Sequence, residues 1–194
     1  MSAAPSASAI VTALGTPRVV AALDALIDLH VTAIVAWCVE AAPARPVSGL
    51  KLTYLAGRAP DETQATDYLG LLPEQDLDAL LAGPEAGLWT LWSAGDWPIE
   101  GPLSAPESDA AAIVWRSLRA ARVQEPERAV LNDVATRLTR QSWSGVMAVG
   151  SHFAAWACPP DPDASVLENF EASADEPMVR LFREAGALRL PSTI

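Results

Sequence analysis

The chain contains few of the side chains that build catalytic and metal centres. Its 194 residues include two Cys and two His, and only one of its 13 basic residues is a lysine, Lys51. A typical zinc site takes four ligands, so all the Cys and His residues would have to converge on one point. We therefore predict no metal ion.

Motifs of the common cofactor and enzyme classes are also absent. The chain has no Gly-rich phosphate loop ending in Lys-Ser/Thr, no dinucleotide-binding fingerprint, and none of the patterns Cys-x-x-Cys, His-Glu-x-x-His and Gly-x-Ser-x-Gly. Each of these mechanisms depends on a fixed spacing, so the absence of the spacing argues against the function. We predict no cofactor and no catalytic residue of a known class.

Positively charged residues are also scarce: the chain has 13 Lys and Arg against 24 Asp and Glu, which gives a formal net charge of -11. This charge opposes the phosphate backbone, so we predict no nucleic-acid partner. An acidic surface suits a basic protein partner, and it is also an ordinary means of keeping a protein in solution.

The sequence lacks a long apolar run. Its most apolar stretch, Val31 to Val39, is far shorter than the roughly 20 residues that a membrane-spanning helix requires. The N-terminus has no positive residue before Arg18 and does not match a signal peptide. Cys38 and Cys158 each lie in an apolar run, which is typical of reduced cysteines. We predict a cytoplasmic protein without a membrane partner.

Apolar periodicity and turn residues divide the chain into helices and strands. Helices are predicted from Pro17 to about His30, Pro73 to Gly83, a Ser104–Glu107 capping box to about Val123, Pro126 to Gln141, Ser165 to Phe170 and Pro177 to Ala185. Strands are predicted at Val31 to Val39, Gly49 to Leu55, Leu88 to Ser93 and within 146–158, the last either a hairpin turning at Gly150–Ser151 or one long strand.

This order of elements predicts an α+β fold, with a mainly antiparallel sheet of about four to five strands flanked by helices. Residues 1–15 are assigned to a flexible N-terminal segment, and residues 16–194 to a single α+β domain.

What the chain does have is tryptophan, seven residues against three Phe and two Tyr, with Trp89, Trp92 and Trp97 close together. Each tryptophan can bury roughly 150–250 Å². Strand alternation places Trp89 and Trp92 on opposite faces. Trp97 follows the Gly95–Asp96 turn and is predicted to be the most exposed of the three. We predict Trp92, Asp96 and Trp97 as binding residues for a protein partner, against the alternative that the tryptophans only hold their loop on the domain.

Two other functions remain open. A Cys38–His152 pair would permit thiolate catalysis if the sulfur and the ring came within hydrogen-bond reach, and Trp92 could line a small-ligand pocket. Two further clusters have simpler interpretations. The acidic pairs before the last two helices are predicted to cap those helices, and Arg116, Arg119 and Arg122 are predicted to form a solvated helix face.

The predicted elements in the C-terminal part of the chain are, in order, the strand Leu88 to Ser93, the turn continuing to Gly101, two helices, a strand ending near Pro160–Asp161 and a helix at Leu167–Phe170. This order of elements resembles a bacterial family of uncharacterised domains. Those domains are similar in size and style to small immunity and accessory proteins. The resemblance implies no activity and no catalytic residue. Together with the composition it predicts a non-enzymatic protein-interaction domain.

Overall fold

A computed structural model describes residues 6–41, 43–54, 68–84, 86–93, 97–103, 108–159, 161 and 163–190. Within these ranges there are eight helices: α1 (Ala7–Leu14), α2 (Pro17–Ala41), α3 (Glu74–Ala82), α4 (Ala86–Trp92), α5 (Asp109–Ala120), α6 (Pro126–Arg140), α7 (Ala164–Ser173) and α8 (Glu176–Glu184). The same ranges contain four strands: β1 (Val47–Thr53), β2 (Tyr68–Pro73), β3 (Ile99–Pro102) and β4 (Val149–Cys158).

The strands form one mixed sheet in the order β3-β2-β1-β4. β2 pairs antiparallel with both β1 and β3, whereas β1 and β4 run parallel. The α+β prediction is confirmed, but the prediction of a mainly antiparallel sheet of four to five strands is wrong. The chain reaches β4 through α5 and α6, and a long helical connection allows a strand to enter its sheet parallel to a neighbour.

Helices cover both faces of the sheet. α1, α2, α5 and α6 contribute to one hydrophobic core, and α3, α4, α7 and α8 contribute to the other. Along β1, Leu50 and Leu52 belong to the first core while Lys51 and Thr53 alternate to the opposite face, as predicted. Every residue of β1 is buried, because helices cover this central strand on both sides.

Apart from α2, the helices predicted from capping signals are confirmed with small shifts in their ends. Asp163 and Asp175 each accept a backbone hydrogen bond in the first turn of α7 and α8, at 2.8 and 2.9 Å, so the acidic pairs supply helix caps. The predicted capping box at 104–107 lies outside the described residues, and Ser108 caps α5. Of the two alternatives for the last strand, the single long strand is correct.

The prediction of a strand at Val31 to Val39 is wrong, because this stretch continues α2 to Ala41 without a break. His30, Ile34 and Cys38 recur every four residues on the buried side of the helix. Among the described residues, α2 is the one helix that is long and apolar enough to cross a membrane, and 39% of its most apolar window is buried inside the protein.

Three other local predictions need correction. Leu88 to Ser93 is not a strand, since α4 runs to Trp92. β2 and β3 were not predicted, since both are short, with six and four residues. Residues 7–14, assigned to a flexible segment, form α1 and bury Ala7 and Val11 against the first core.

His30 is a buried polar group within the α2 side of the core. Its Nδ1 lies 2.8 Å from the Leu26 carbonyl oxygen, to which it donates as the neutral ring, and Nε2 has no hydrogen-bond partner. Burial lowers the pKa of His30 below its usual 6.5, because the imidazolium would lose its hydration.

We expect this histidine to make the fold less stable in mild acid. Below pH 6.5 the unfolded chain takes up a proton at His30 while the folded chain does not, so the free energy of unfolding falls as the pH decreases toward the lowered pKa. Urea unfolding between pH 8 and pH 5 should show a steeper loss for the wild type than for His30→Gln. Parallel pH profiles for the two proteins would contradict this expectation.

Candidate functional site

Trp92, predicted as a binding residue, lies in the centre of the second core. It is fully buried, and its ring centroid lies 5.4 Å from that of Phe170 and 5.6 Å from that of Phe182. Its Nε1 donates a hydrogen bond to the Ala187 carbonyl at 3.1 Å. Because its polar atom and its ring both have partners, Trp92 lines no open pocket in this structure.

Trp97 is also buried, so the prediction that it is the most exposed of the three is wrong. Only 5% of the residue is accessible, its ring packs against Trp156 at 5.2 Å, and its Nε1 donates to the Thr90 carbonyl at 3.2 Å. The exposed member is Trp89, at 46%. Asp96, the third predicted binding residue, lies outside the described residues.

Lys51 is a chemically distinctive residue that sequence reasoning did not identify. Its ammonium group is buried and donates to the Ser93 carbonyl at 2.8 Å and to Glu100 Oε1 at 3.1 Å. It also lies 4.6 Å from the centroid of the Trp97 ring, in a cation–π contact. The available signal was that this is the only lysine of the chain, placed in the middle of an apolar strand.

The Cys38–His152 pair is not assembled. Burial raises the pKa of Cys38 to about 12, so its sulfur stays a thiol at neutral pH. No hydrogen bond joins the two residues. His152 instead lies near Glu74, whose carboxyl pKa is lowered by hydrogen bonds from Ser151 and, to a lesser degree, by His152.

A buried polar network closes the outer edge of β4. Arg128 donates to Asn169 at 2.8 Å, to Glu125 at 2.9 Å and to Glu168 at 2.6 Å. Asn169 in turn donates to the carbonyl of Ala157 at 3.0 Å. These bonds join α6, α7 and β4. One of them satisfies the outward-facing Ala157 carbonyl of the edge strand β4, so the network has a structural role.

The arginines of α5 form a solvent-facing row, as predicted. Arg116 and Arg119 are exposed on α5, and Arg119 donates to the Trp115 carbonyl of its own helix. Arg122 is also exposed but lies beyond the end of α5, at a positive φ of 57°, so it does not continue the helical row. Among the described residues, no group of three or more His, Cys, Asp or Glu side chains is placed to hold a metal ion.

The surface most unlike an ordinary solvated face is on the C-terminal half of α2. Between Asp28 and Glu40 the helix carries no charged residue. We define the outer face of α2 as its exposed or half-buried residues in this stretch that do not pack against the first core: Leu29, Thr32, Ala36 and Val39. Val39 is 51% exposed, although valine is one of the residue types most often buried in folded proteins.

The chain matches no protein-family model, no curated protein and no solved structure.

Proposed function

We propose that this protein is a non-enzymatic interaction domain that binds a protein partner through the outer face of α2. One observation carries the proposal: an uncharged helical stretch of the chain, from Leu29 to Val39, stays partly open to solvent. The exposed positions 32, 36 and 39 follow spacings of four and three residues. That spacing is how an amphipathic helix presents its contacts to a groove on a partner.

The charges around this face favour a basic partner. Asp28 and Glu40 bound the uncharged stretch and are exposed, and the whole chain carries a net charge of -11. Asp28 is already paired with Arg137 at 2.8 Å, whereas Glu40 forms no ion pair with another described residue, so a partner with an apolar centre and a basic rim would bury the face and balance the Glu40 carboxylate. An anionic membrane surface would repel the same carboxylate.

A second copy of the chain fits this face less well. In a two-fold dimer with antiparallel helices, Asp28 of one copy approaches Glu40 of the other. In a parallel arrangement, like residues meet. The parallel arrangement brings two Glu40 carboxylates together, which opposes association, and in the antiparallel arrangement the carboxylate that Glu40 meets is already paired with Arg137, so Glu40 gains no new ion pair.

Binding through this face fits the immunity or accessory role that the sequence resemblance implies. Such a role needs one protein partner and no nucleophile. The thiol of Cys38, with its pKa raised to about 12, is consistent with that role. A gene for a basic, toxin-like protein beside the gene for this chain would support the proposal.

We expect Ala36→Glu or Val39→Glu to abolish capture of the partner. Each places a carboxylate in the centre of the proposed interface, and burying an unpaired charge costs several kcal/mol. Affinity should fall by at least tenfold, since about 1.4 kcal/mol is already a factor of ten. The measurement is affinity capture from a lysate of the source cells, followed by titration of the captured protein against each variant.

The matched control is Ala112→Glu, which makes the same substitution at an exposed helical position on α5. We expect one basic protein to be captured by the wild type and by Ala112→Glu and to be lost with the other two variants. Circular dichroism and thermal unfolding should show that all the variants are folded. Equal capture by the four proteins would refute the role of this face.

A further inference from the structure

An open groove of about 480 Å³ lies between α1, α2 and α6, away from the outer face of α2. Its volume is within the range of small-molecule sites. Three helices line it with the following residues: Ser8, Asp24, Ile27, Asp133, Thr136, Arg137, Arg140 and Gln141.

Several polar groups of the groove are already used by the fold. Both carboxylate oxygens of Asp133 accept hydrogen bonds from the start of α1, at 2.8 and 2.7 Å. The Thr136 hydroxyl donates to the backbone of α6 at 2.8 Å. Arg137 forms an ion pair with Asp28 at 2.8 Å.

Three other groups have no partner among the described residues. Arg140, on α6, and Asp24, on α2, are exposed and form no ion pair or hydrogen bond there. The Gln141 Nε2 is buried and has no acceptor, and a buried amide donor without an acceptor is unfavourable. The groove therefore offers a ligand an unpaired cation and an unpaired carboxylate, while the Gln141 donor lies buried behind its surface.

We propose that this groove binds a small zwitterion of dipeptide size. Its carboxylate would pair with Arg140, and its ammonium group would pair with Asp24. A simple anion fits less well, because Asp24 and Asp133 line the same groove in a protein of net charge -11. The unpaired charges lie on α2 and α6, and packed helices have axes about 8–10 Å apart, which suits a ligand whose charged ends are several bonds apart.

The test is calorimetric titration of the full chain with alanyl-alanine. N-acetyl-alanyl-alanine, which keeps only the carboxylate, and alanyl-alanine amide, which keeps only the ammonium group, are the matched ligands. We expect each to bind at least about tenfold more weakly than the dipeptide, the effect of losing one charged hydrogen bond.

Protein variants identify the contacts. Arg140→Gln and Asp24→Asn should each weaken dipeptide binding by about tenfold or more, and Arg116→Gln, an exposed arginine on α5, should have no effect. Binding of the acetylated ligand to the wild type as tight as that of the dipeptide would show a plain anion site and overturn the proposal, as would the absence of dipeptide binding. Neither result bears on the outer face of α2.

Discussion

Trp92→Ala is expected to lower the free energy of unfolding by about 3–5 kcal/mol, the range for truncating a buried tryptophan to alanine. The substitution would leave a cavity among Trp156, Phe170 and Phe182, whose rings surround Trp92 at 6.1, 5.4 and 5.6 Å. It would also leave the Ala187 carbonyl without its indole donor. Urea unfolding followed by far-ultraviolet circular dichroism measures the loss.

Trp89→Ala is the matched control, because it removes the same side chain from the same helix at a position that is 46% exposed. Its effect on stability should stay within about 0.5 kcal/mol. The contrast separates the two roles that the sequence left open for the tryptophan cluster. A Trp92→Ala protein as stable as the wild type would mean that this side chain is not part of the core.

The three tryptophans predicted that most of their side chains are buried, but not toward which side of the segment each side chain points. Two of the three tryptophans are buried, as the cost of exposing a large apolar ring suggests. Predicting a strand for this short segment placed the side chains on alternate faces, whereas in helix α4 Leu91 and Trp92 are both buried and Trp89 is 46% exposed. Seven helical residues are too few for periodicity to distinguish the two.

α2 was misassigned for a related reason. A nine-residue apolar run from Val31 to Val39 can be a central strand or the continuation of a helix, and hydrophobicity alone does not separate them. No Gly or Pro interrupts the chain between Pro17 and Ala41, which was a usable sign of one long helix. The helices with caps and amphipathic patterns, such as α6 and α8, could be predicted well because those signals are local.

The candidate surfaces could not be found from the sequence. Valine is a typical core residue, so the sequence alone would place Val39 in the core. Only the packing of α2 against α5 and α6 shows that its side chain points outward. The groove joins residues of α1, α2 and α6 that are more than 100 positions apart at the extremes, such as Ser8 and Arg140. The parallel pairing of β1 with β4 is likewise set by tertiary contacts and by no local pattern.

The second large effect concerns the buried charge at Lys51. Glu100→Gln should lower the free energy of unfolding by about 3 kcal/mol, at the lower end for breaking a buried ion pair, because the Glu100 side chain is 20% exposed. The substitution keeps the shape of the side chain but removes the negative charge 3.1 Å from an ammonium group that is 1% exposed. Chemical unfolding at neutral pH is the measurement.

The double variant Lys51→Met/Glu100→Gln distinguishes charge balance from simple packing. With both charges removed, the methionine fills the lysine's apolar path along Trp97, and the stability should return to within about 1 kcal/mol of the wild type, because replacing a buried pair by apolar groups is often nearly neutral. Lys51→Met alone should fall between the two, since Glu100 keeps partial hydration and the amide donor of Trp97 at 3.2 Å. If the double variant is less stable than Glu100→Gln, the ammonium group stabilises the fold mainly through its hydrogen bond to the Ser93 carbonyl, and the ion pair is not what holds β1, β3 and the end of α4 together.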